Sequence, residues 1–105
     1  MEIKNINEMK GGWFVGNFQP SIFNANFEVG VKKYKKGEFH APHFHKIATE
    51  INYLISGNML ANGKLIEPGQ IFTFEPNEVA SCEFLEDCEL VVVKSVSVIN
   101  DKYDI

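Results

Sequence analysis

The chain has 105 residues, of which 45% are hydrophobic and 23% are charged, and its formal net charge is −4. This size predicts one globular domain that spans residues 1–105, and the acidic balance excludes the basic surface that nucleic acids and anionic membranes require. No apolar run approaches the roughly 20 residues that cross a bilayer, and the N-terminus lacks the apolar region of a signal peptide, so we expect a cytoplasmic protein.

Aromatic residues cluster in the first part of the chain. They are Trp13, Phe14, Phe18, Phe23 and Phe27. This pattern predicts an N-terminal strand and loop, residues 1–26, that cap a core formed by residues 27–93, with a C-terminal tail at 99–105. A lid over a pocket or a contact surface in a dimer is the alternative, because tryptophan and phenylalanine are enriched in such contacts.

Short runs rich in valine, isoleucine and phenylalanine, separated by turn residues, predict many short strands and no long helix. The alternation of Val29 and Val31 with polar neighbours is typical of a half-buried strand. Asn62-Gly63 predicts a two-residue hairpin, and a last hairpin is predicted around residues 86–87. Many short, evenly spaced antiparallel strands indicate a sandwich or a small barrel.

Two further features are interpreted as structural. The lysine-rich run at residues 32–36 favours an exposed strand end whose charges discourage edge pairing, and a phosphate contact is the alternative.

The spacing of Cys82 and Cys88 matches no zinc or redox motif. Because the chain shows no export signal, free thiols are expected.

All three histidines of the chain lie close together in the sequence and predict the functional site. Residues two apart on a strand point to the same face, so His43 and His45 can converge on one atom. Imidazole nitrogens bind divalent cations, and Glu50 can complete a set of three ligands that leaves positions open. The sequence therefore predicts a divalent metal ion at these three residues, with iron, manganese, nickel and zinc as candidates.

The same segment resembles the first signature motif of the cupin superfamily. The motif reads glycine, five residues, His-x-His, three or four residues, glutamate, six residues and glycine, and it is filled without a gap by Gly37, His43, His45, Glu50 and Gly57. The resemblance implies an all-β fold, a single double-stranded β-barrel of the jelly-roll class, with the metal ion in its mouth.

The second cupin motif departs from the family pattern, because no histidine follows His45. The missing ligand would fall at Ser81 by spacing from Pro76, and at Cys82 by strand parity. A thiolate at Cys82 is therefore a candidate additional ligand, for which zinc and copper(I) have the greatest preference. An inert packed thiol, or a coordination position that water fills, is the alternative.

Two other polar residues near the motif are candidates for the pocket. His40 is interpreted either as a solvated turn residue or as a ligand or proton relay, because Pro42 interrupts the strand between it and the other histidines. Asn52 shares the strand face of Glu50 and is expected either to line the pocket or to be structural.

Three classes of function are compatible with this site. The favoured interpretation is a small metal-binding cupin that acts as a metal-dependent enzyme of the dioxygenase, isomerase or lyase type on a small molecule. The second is a metal-free sugar-nucleotide isomerase or epimerase with paired histidines as acid and base, although the chain has no arginine to bind phosphate. The third is a protein that binds a small ligand without turnover, which the missing histidine favours. Because small cupins commonly pair, we also expect a homodimer, joined through the N-terminal aromatic strand or residues 89–98.

Overall fold

The chain forms two antiparallel β-sheets of five strands each in a computed structural model that describes residues 1–105. The first sheet has the order β1-β2-β9-β4-β7, and the second has the order β10-β3-β8-β5-β6. Two short 3₁₀ turns, Ile6–Glu8 and Lys10–Gly12, precede the first strand. The strands are β1 Trp13–Val15, β2 Glu28–Tyr34, β3 Phe39–Phe44, β4 Glu50–Ser56, β5 Met59–Ala61, β6 Lys64–Ile66, β7 Ile71–Phe74, β8 Ala80–Phe84, β9 Cys88–Lys94 and β10 Tyr103–Asp104.

Side chains that alternate inward from the two sheets form one core. In β4, Asn52 and Leu54 are buried, whereas Ile51 and Tyr53 lie on the outer face, as the two-residue period of a strand requires. The buried cluster draws on both sheets and consists of Leu54, Phe74, Cys88, Leu90 and Val92 from the first and Met59, Ala61, Ala80 and Phe84 from the second. This distribution is that of two sheets packed face to face, which confirms the predicted all-β class.

The predicted hairpin at Asn62-Gly63 is confirmed. It joins β5 to β6, which pair in antiparallel register with Ala61 opposite Lys64. Both turn residues have positive φ, 49° for Asn62 and 75° for Gly63, which is the conformation of a type I′ turn.

The hairpin predicted around residues 86–87 is wrong. β8 pairs with β3 and β5 in the second sheet, whereas β9 pairs with β2 and β4 in the first. Because both edges of β9 are already occupied, the short connection at residues 85–87 must cross from one sheet to the other.

The lysine-rich run begins in β2. This strand lies between β1 and β9 in the first sheet, but β1 pairs only with Val29 and Gly30, so residues 32–34 pair with β9 alone. Its alternation places Gly30, Lys32 and Tyr34 toward the inside, while Lys33 and Lys35 are exposed. Lys33 and Lys35 agree with the exposed strand end that the sequence predicts, whereas Lys32 departs from it because it lines the cavity.

The two ends of the chain attach to different sheets. β1 adds to the first sheet with Trp13 opposite Gly30. β10 adds to the second sheet beside β3, with Asp104 opposite His43. Neither 3₁₀ turn, at three residues each, is long or apolar enough to cross a membrane.

Candidate functional site

One cavity between the two sheets is lined by every residue that the sequence predicts for the site. Its volume is about 190 Å³, and half of its lining residues are hydrophobic. β3 and the loop after it provide the histidines, β4 provides Glu50 and Asn52, and β8 provides Cys82. The lining residues are Trp13, Lys32, Tyr34, His40, His43, His45, Glu50, Asn52, Met59, Phe72, Cys82, Phe84, Leu90, Val92, Lys94 and Lys102.

An irregularity in β3 brings His40 and His43 to the same cavity. On a regular strand, residues three apart point to opposite faces. The pairing of β3 with β8 shifts between His40 and His43, and this stretch contains Pro42, which has no N–H to donate to the neighbouring strand. The shift resets the alternation, so both imidazoles line the cavity.

His43 and His45 form the centre of the histidine cluster. Their ring centroids are 5.6 Å apart and their planes are almost perpendicular, at 87°. Nδ1 of His43 lies 2.9 Å from the carbonyl oxygen of Ala41, which can only accept a hydrogen bond. Nδ1 of His43 therefore carries the proton, and in the neutral ring the lone pair that could bind a metal is on Nε2.

His45 is held in its neutral form. Only 6% of this residue is exposed, and burial lowers the pKa of its imidazole, with a further contribution from the positive charge of Lys94. A neutral imidazole is the form that binds a metal ion.

Glu50 is oriented by its neighbour two residues along β4. Nδ2 of Asn52 donates a hydrogen bond to Oε2 of Glu50 at 3.2 Å. Asn52 itself is only 4% exposed. Asn52 therefore lines the pocket, and it also fixes one oxygen of the carboxylate while the other stays available.

The donor set fits a divalent metal by its chemistry. Two imidazoles and a carboxylate are ligands that iron, manganese, nickel and zinc accept. However, no three His, Cys, Asp or Glu side chains lie close enough together to hold one ion between them. Metal binding at His43, His45 and Glu50 therefore stays a prediction, and it requires these side chains to turn toward a common point.

Cys82 lines the cavity, as strand parity predicts, but its surroundings disfavour a thiolate. Burial, and then the negative charge of Glu50, raise the pKa of the thiol to about 12. The protonated thiol is a weak ligand and a good packing group. These surroundings favour the packed thiol.

His40 is not a solvated turn residue. It lies directly opposite Cys82 in the β3–β8 pair and is half-buried on the cavity wall. Its ring meets Tyr34 and Phe84 edge-on, with centroid distances of 4.6 and 5.1 Å. Burial lowers the pKa of His40, so this imidazole is neutral near pH 7.

Sequence reasoning missed the basic side of the cavity, to which Lys32, Lys94 and Lys102 contribute. The signal was present in β9, where Leu90, Val92 and Lys94 share one strand face and the first two are buried. A lysine that continues a buried face points into the interior. Trp13 also lines this side, which supports the lid alternative for that residue.

Asp101 is a second residue that the sequence did not reveal. Its carboxylate, 6% exposed, accepts hydrogen bonds from the backbone N–H groups of Lys46, Ile47 and Ala48 at 3.0 to 3.2 Å. These residues form the loop between His45 and Glu50. Asp101 therefore positions the two segments that carry the candidate ligands.

Comparison with known proteins identifies relatives by structure alone. No family model matches the chain, and no curated protein has a significantly similar sequence. By contrast, 135 chains of solved structures are similar in fold.

Three of these structures illustrate the likeness. An uncharacterised protein with a double-stranded β-helix domain from Klebsiella pneumoniae has a TM-score of 0.67 and 20% identity, with 91% of this chain and 85% of that chain covered. KdgF from a Halomonas species has a TM-score of 0.62 and 20% identity, with 72% and 73% covered. Oxalate decarboxylase from Bacillus subtilis, which has Mn(II) centres, has a TM-score of 0.62 and 22% identity, with 76% of this chain and 24% of that chain covered. The chain therefore has the cupin fold, a double-stranded β-helix.

Proposed function

We propose that this chain is a metal-binding protein that acts on a small molecule, with His43, His45 and Glu50 as the metal ligands. One observation carries the proposal: the three residues line one cavity, and each is prepared by a neighbour to act as a ligand. Ala41 leaves Nε2 of His43 free, burial keeps His45 neutral, and Asn52 orients Glu50.

A divalent ion bound there would supply Lewis-acid or redox chemistry to a substrate held beside it. The protein's own residues would bind and orient that substrate. Met59, Phe72 and Phe84 line part of the cavity with apolar groups, which exclude water from one side of the ligand. Manganese is one metal to test, because oxalate decarboxylase, which shares the fold, has Mn(II) centres.

The size of the cavity favours a small substrate. Its 190 Å³ lies below the roughly 300 Å³ at which pockets for drug-sized ligands begin. A sugar nucleotide would not be enclosed, and the chain has no arginine to hold its phosphates. These observations weigh against the sugar-nucleotide alternative.

Ligand binding without turnover is the second candidate function. It is favoured by the protonated thiol of Cys82. Strand parity places Cys82 at the position of a fourth metal ligand, and a protonated thiol is a weak ligand. The cavity would be the same in both cases. Turnover of a substrate by the metal-loaded protein separates the two functions.

The metal content of the purified protein tests the proposal. Tag-free protein is prepared without chelator, loaded separately with iron(II), manganese, nickel or zinc, and measured by elemental mass spectrometry. We expect about one ion per chain. His43→Ala and Glu50→Gln should each weaken metal affinity more than about 100-fold, because the loss of a residue that only supports a ligand already costs about 10- to 100-fold. Glu83→Gln, on the exposed face of β8, is the matched control. Unchanged binding in both cavity variants, or no binding of any of the four metals, would overturn the proposal.

A further inference from the structure

The candidate site has an unexpectedly basic wall. The whole chain is acidic, with 14 aspartate and glutamate residues against 10 lysines. Around the cavity the balance is reversed, because Lys32, Lys94 and Lys102 face a single carboxylate, Glu50. The cavity is therefore cationic before any metal binds.

Lys32 and Lys94 both line the cavity, and each lies close to the indole ring of Trp13. Their Nζ atoms lie 5.3 and 5.1 Å from the ring centroid. Nζ of Lys32 also donates a hydrogen bond to the carbonyl oxygen of Gly11 at 2.6 Å. Two ammonium groups thus lie within cation–π distance of one aromatic ring.

The strand below leaves room for this arrangement. Gly30 lies opposite Trp13 in the β1–β2 pair. A Cβ atom at Gly30 would be 2.6 Å from Cε3 of Trp13, which is closer than any packed contact. The absence of a side chain at Gly30 is therefore what allows the ring to pack against β2 beside both lysines.

Neither lysine has an acidic partner. The salt bridges of the structure are Lys33–Glu89 and Lys35–Asp87, and both lie on the surface. Lys32 and Lys94 are half-buried and have no carboxylate within 4.0 Å. Burial and then the charge of Lys94 lower the pKa of Lys32, and the carboxylate of Glu50 offsets only part of this, so an anion beside the two lysines would stabilise both ammonium groups.

We propose that Lys32, Lys94 and Trp13 form a subsite for the carboxylate of a small organic acid. The proposal rests on the proposed function in one respect: the rest of the acid would extend toward the histidines. A carboxylate offers one oxygen to each ammonium group. The apolar, half-buried side chain of Phe72 favours a ligand with a carbon skeleton, which inorganic phosphate lacks.

Trp13 provides a direct readout, because it is the only tryptophan of the chain. Metal-free protein is titrated with malonate at constant ionic strength, and the tryptophan fluorescence is recorded. A parallel titration uses inorganic phosphate. We expect a saturable change with malonate, and weaker binding of phosphate.

Variants separate the lysine subsite from the metal site. Lys32→Met and Lys94→Met should each weaken malonate binding at least about 10-fold, and Lys32→Arg should restore part of it. Lys33→Met is the matched control, because it removes the same charge from the opposite face of β2 and should bind as the wild type does. Because the titration uses metal-free protein, malonate binding does not depend on a bound ion, so failure of the metal proposal leaves this one standing.

Four results would overturn the subsite. They are a fluorescence change that does not saturate, equal binding by wild type and the two lysine-to-methionine variants, an equal loss in Lys33→Met, and phosphate binding as tight as that of malonate. The third would mean that net charge alone attracts the anion. The fourth would mean that the site selects charge and not an organic acid.

Discussion

Gly57 packs directly against the backbone carbonyl of Asp87, and a Cβ atom at Gly57 would collide with that oxygen. The contact joins the turn after β4 to the connection that carries the chain from β8 to β9. Gly57 also has a positive φ of 82°. The last glycine of the cupin motif is thus required both by its backbone conformation and by its neighbour.

Replacing this glycine separates the two requirements. Gly63 has a similar φ of 75°, but nothing lies within 4 Å of the place where its Cβ would be. We expect Gly63→Ala to lower the free energy of unfolding by about 1–2 kcal/mol, through backbone strain alone. Gly57→Ala should cost about 3 kcal/mol or more, because the collision adds to the strain. Urea denaturation of the two variants measures the difference, and equal losses would contradict the role of the Asp87 contact.

Asp101 is expected to be important for stability. Asp101→Ala leaves the N–H groups of Lys46, Ile47 and Ala48 without their acceptor, so the free energy of unfolding should fall by about 3 kcal/mol. Asp104→Ala, an exposed residue of the same segment, is the control and should change it by less than about 0.5 kcal/mol. A normal melting curve for Asp101→Ala would show that the loop does not depend on this carboxylate.

The contribution of Asp101 to stability should depend on pH. Burial alone would raise the pKa of this carboxyl group, but the hydrogen bonds from the backbone of Ala48, Lys46 and Ile47 outweigh burial and lower the pKa below 3.8. A carboxylate with a lowered pKa stabilises the fold fully above the pKa of the unfolded chain, and the stabilisation is lost as the pH falls toward the folded value. The difference in unfolding free energy between wild type and Asp101→Asn should therefore be constant near neutrality and shrink below about pH 4. If the difference instead shrinks between pH 8 and pH 6, where histidine side chains titrate (about pH 6.5), Asp101 is not its source.

Gly30 should control the position of Trp13. Gly30→Ala places a methyl group against the indole ring, so we expect a loss of about 1–3 kcal/mol in unfolding free energy and a shift of the tryptophan emission. In a Trp13→Ala background, where the ring is gone, the same substitution should cost much less. If the cost is equal in both backgrounds, the strain lies elsewhere in β2.

The outer face of the first sheet leads us to expect a homodimer. Ile51, Tyr53 and Ile71 are exposed there by 36%, 42% and 67%, and the register of β4 places Val91 and Val93 beside them. These residues carry no charge, so a second copy of the chain can meet the same face across a two-fold axis without repulsion. Tyr53→Lys should convert the dimer to a folded monomer in sedimentation equilibrium, whereas Leu65→Lys, in the exposed β6 of the other sheet, should not. A monomeric wild-type protein would contradict this prediction.

The histidines and the fold could be predicted because the signals are local. His43 and His45 share one strand face through a two-residue period, and the turn at Asn62-Gly63 requires nothing beyond its own backbone. The partners of β9 are not local. Whether this strand pairs with β8 or with β2 depends on residues more than 50 positions earlier, and the predicted hairpin failed for that reason.

The basic side of the cavity could not be predicted from the sequence for the same reason. A run of lysines is usually a solvated surface, and the inward direction of Lys32 is apparent only from the pairing of β2 with β9, which places Lys32 opposite the buried Leu90. Asp101 was not found because its three donors are more than 50 residues away in the sequence. In both cases the missing information is a long-range contact.

The addition of β10 to β3 affects the order in which the site forms. The strand that carries His40 and His43 has β8 on one side and β10 on the other, with Asp104 opposite His43. A contact between positions about 60 residues apart is among the slowest to form during folding, because a long loop must close first. The β2–β9 pair, in which Glu28 lies opposite Lys94, closes a loop of similar length, so both walls of the cavity should be completed at the same late stage of folding.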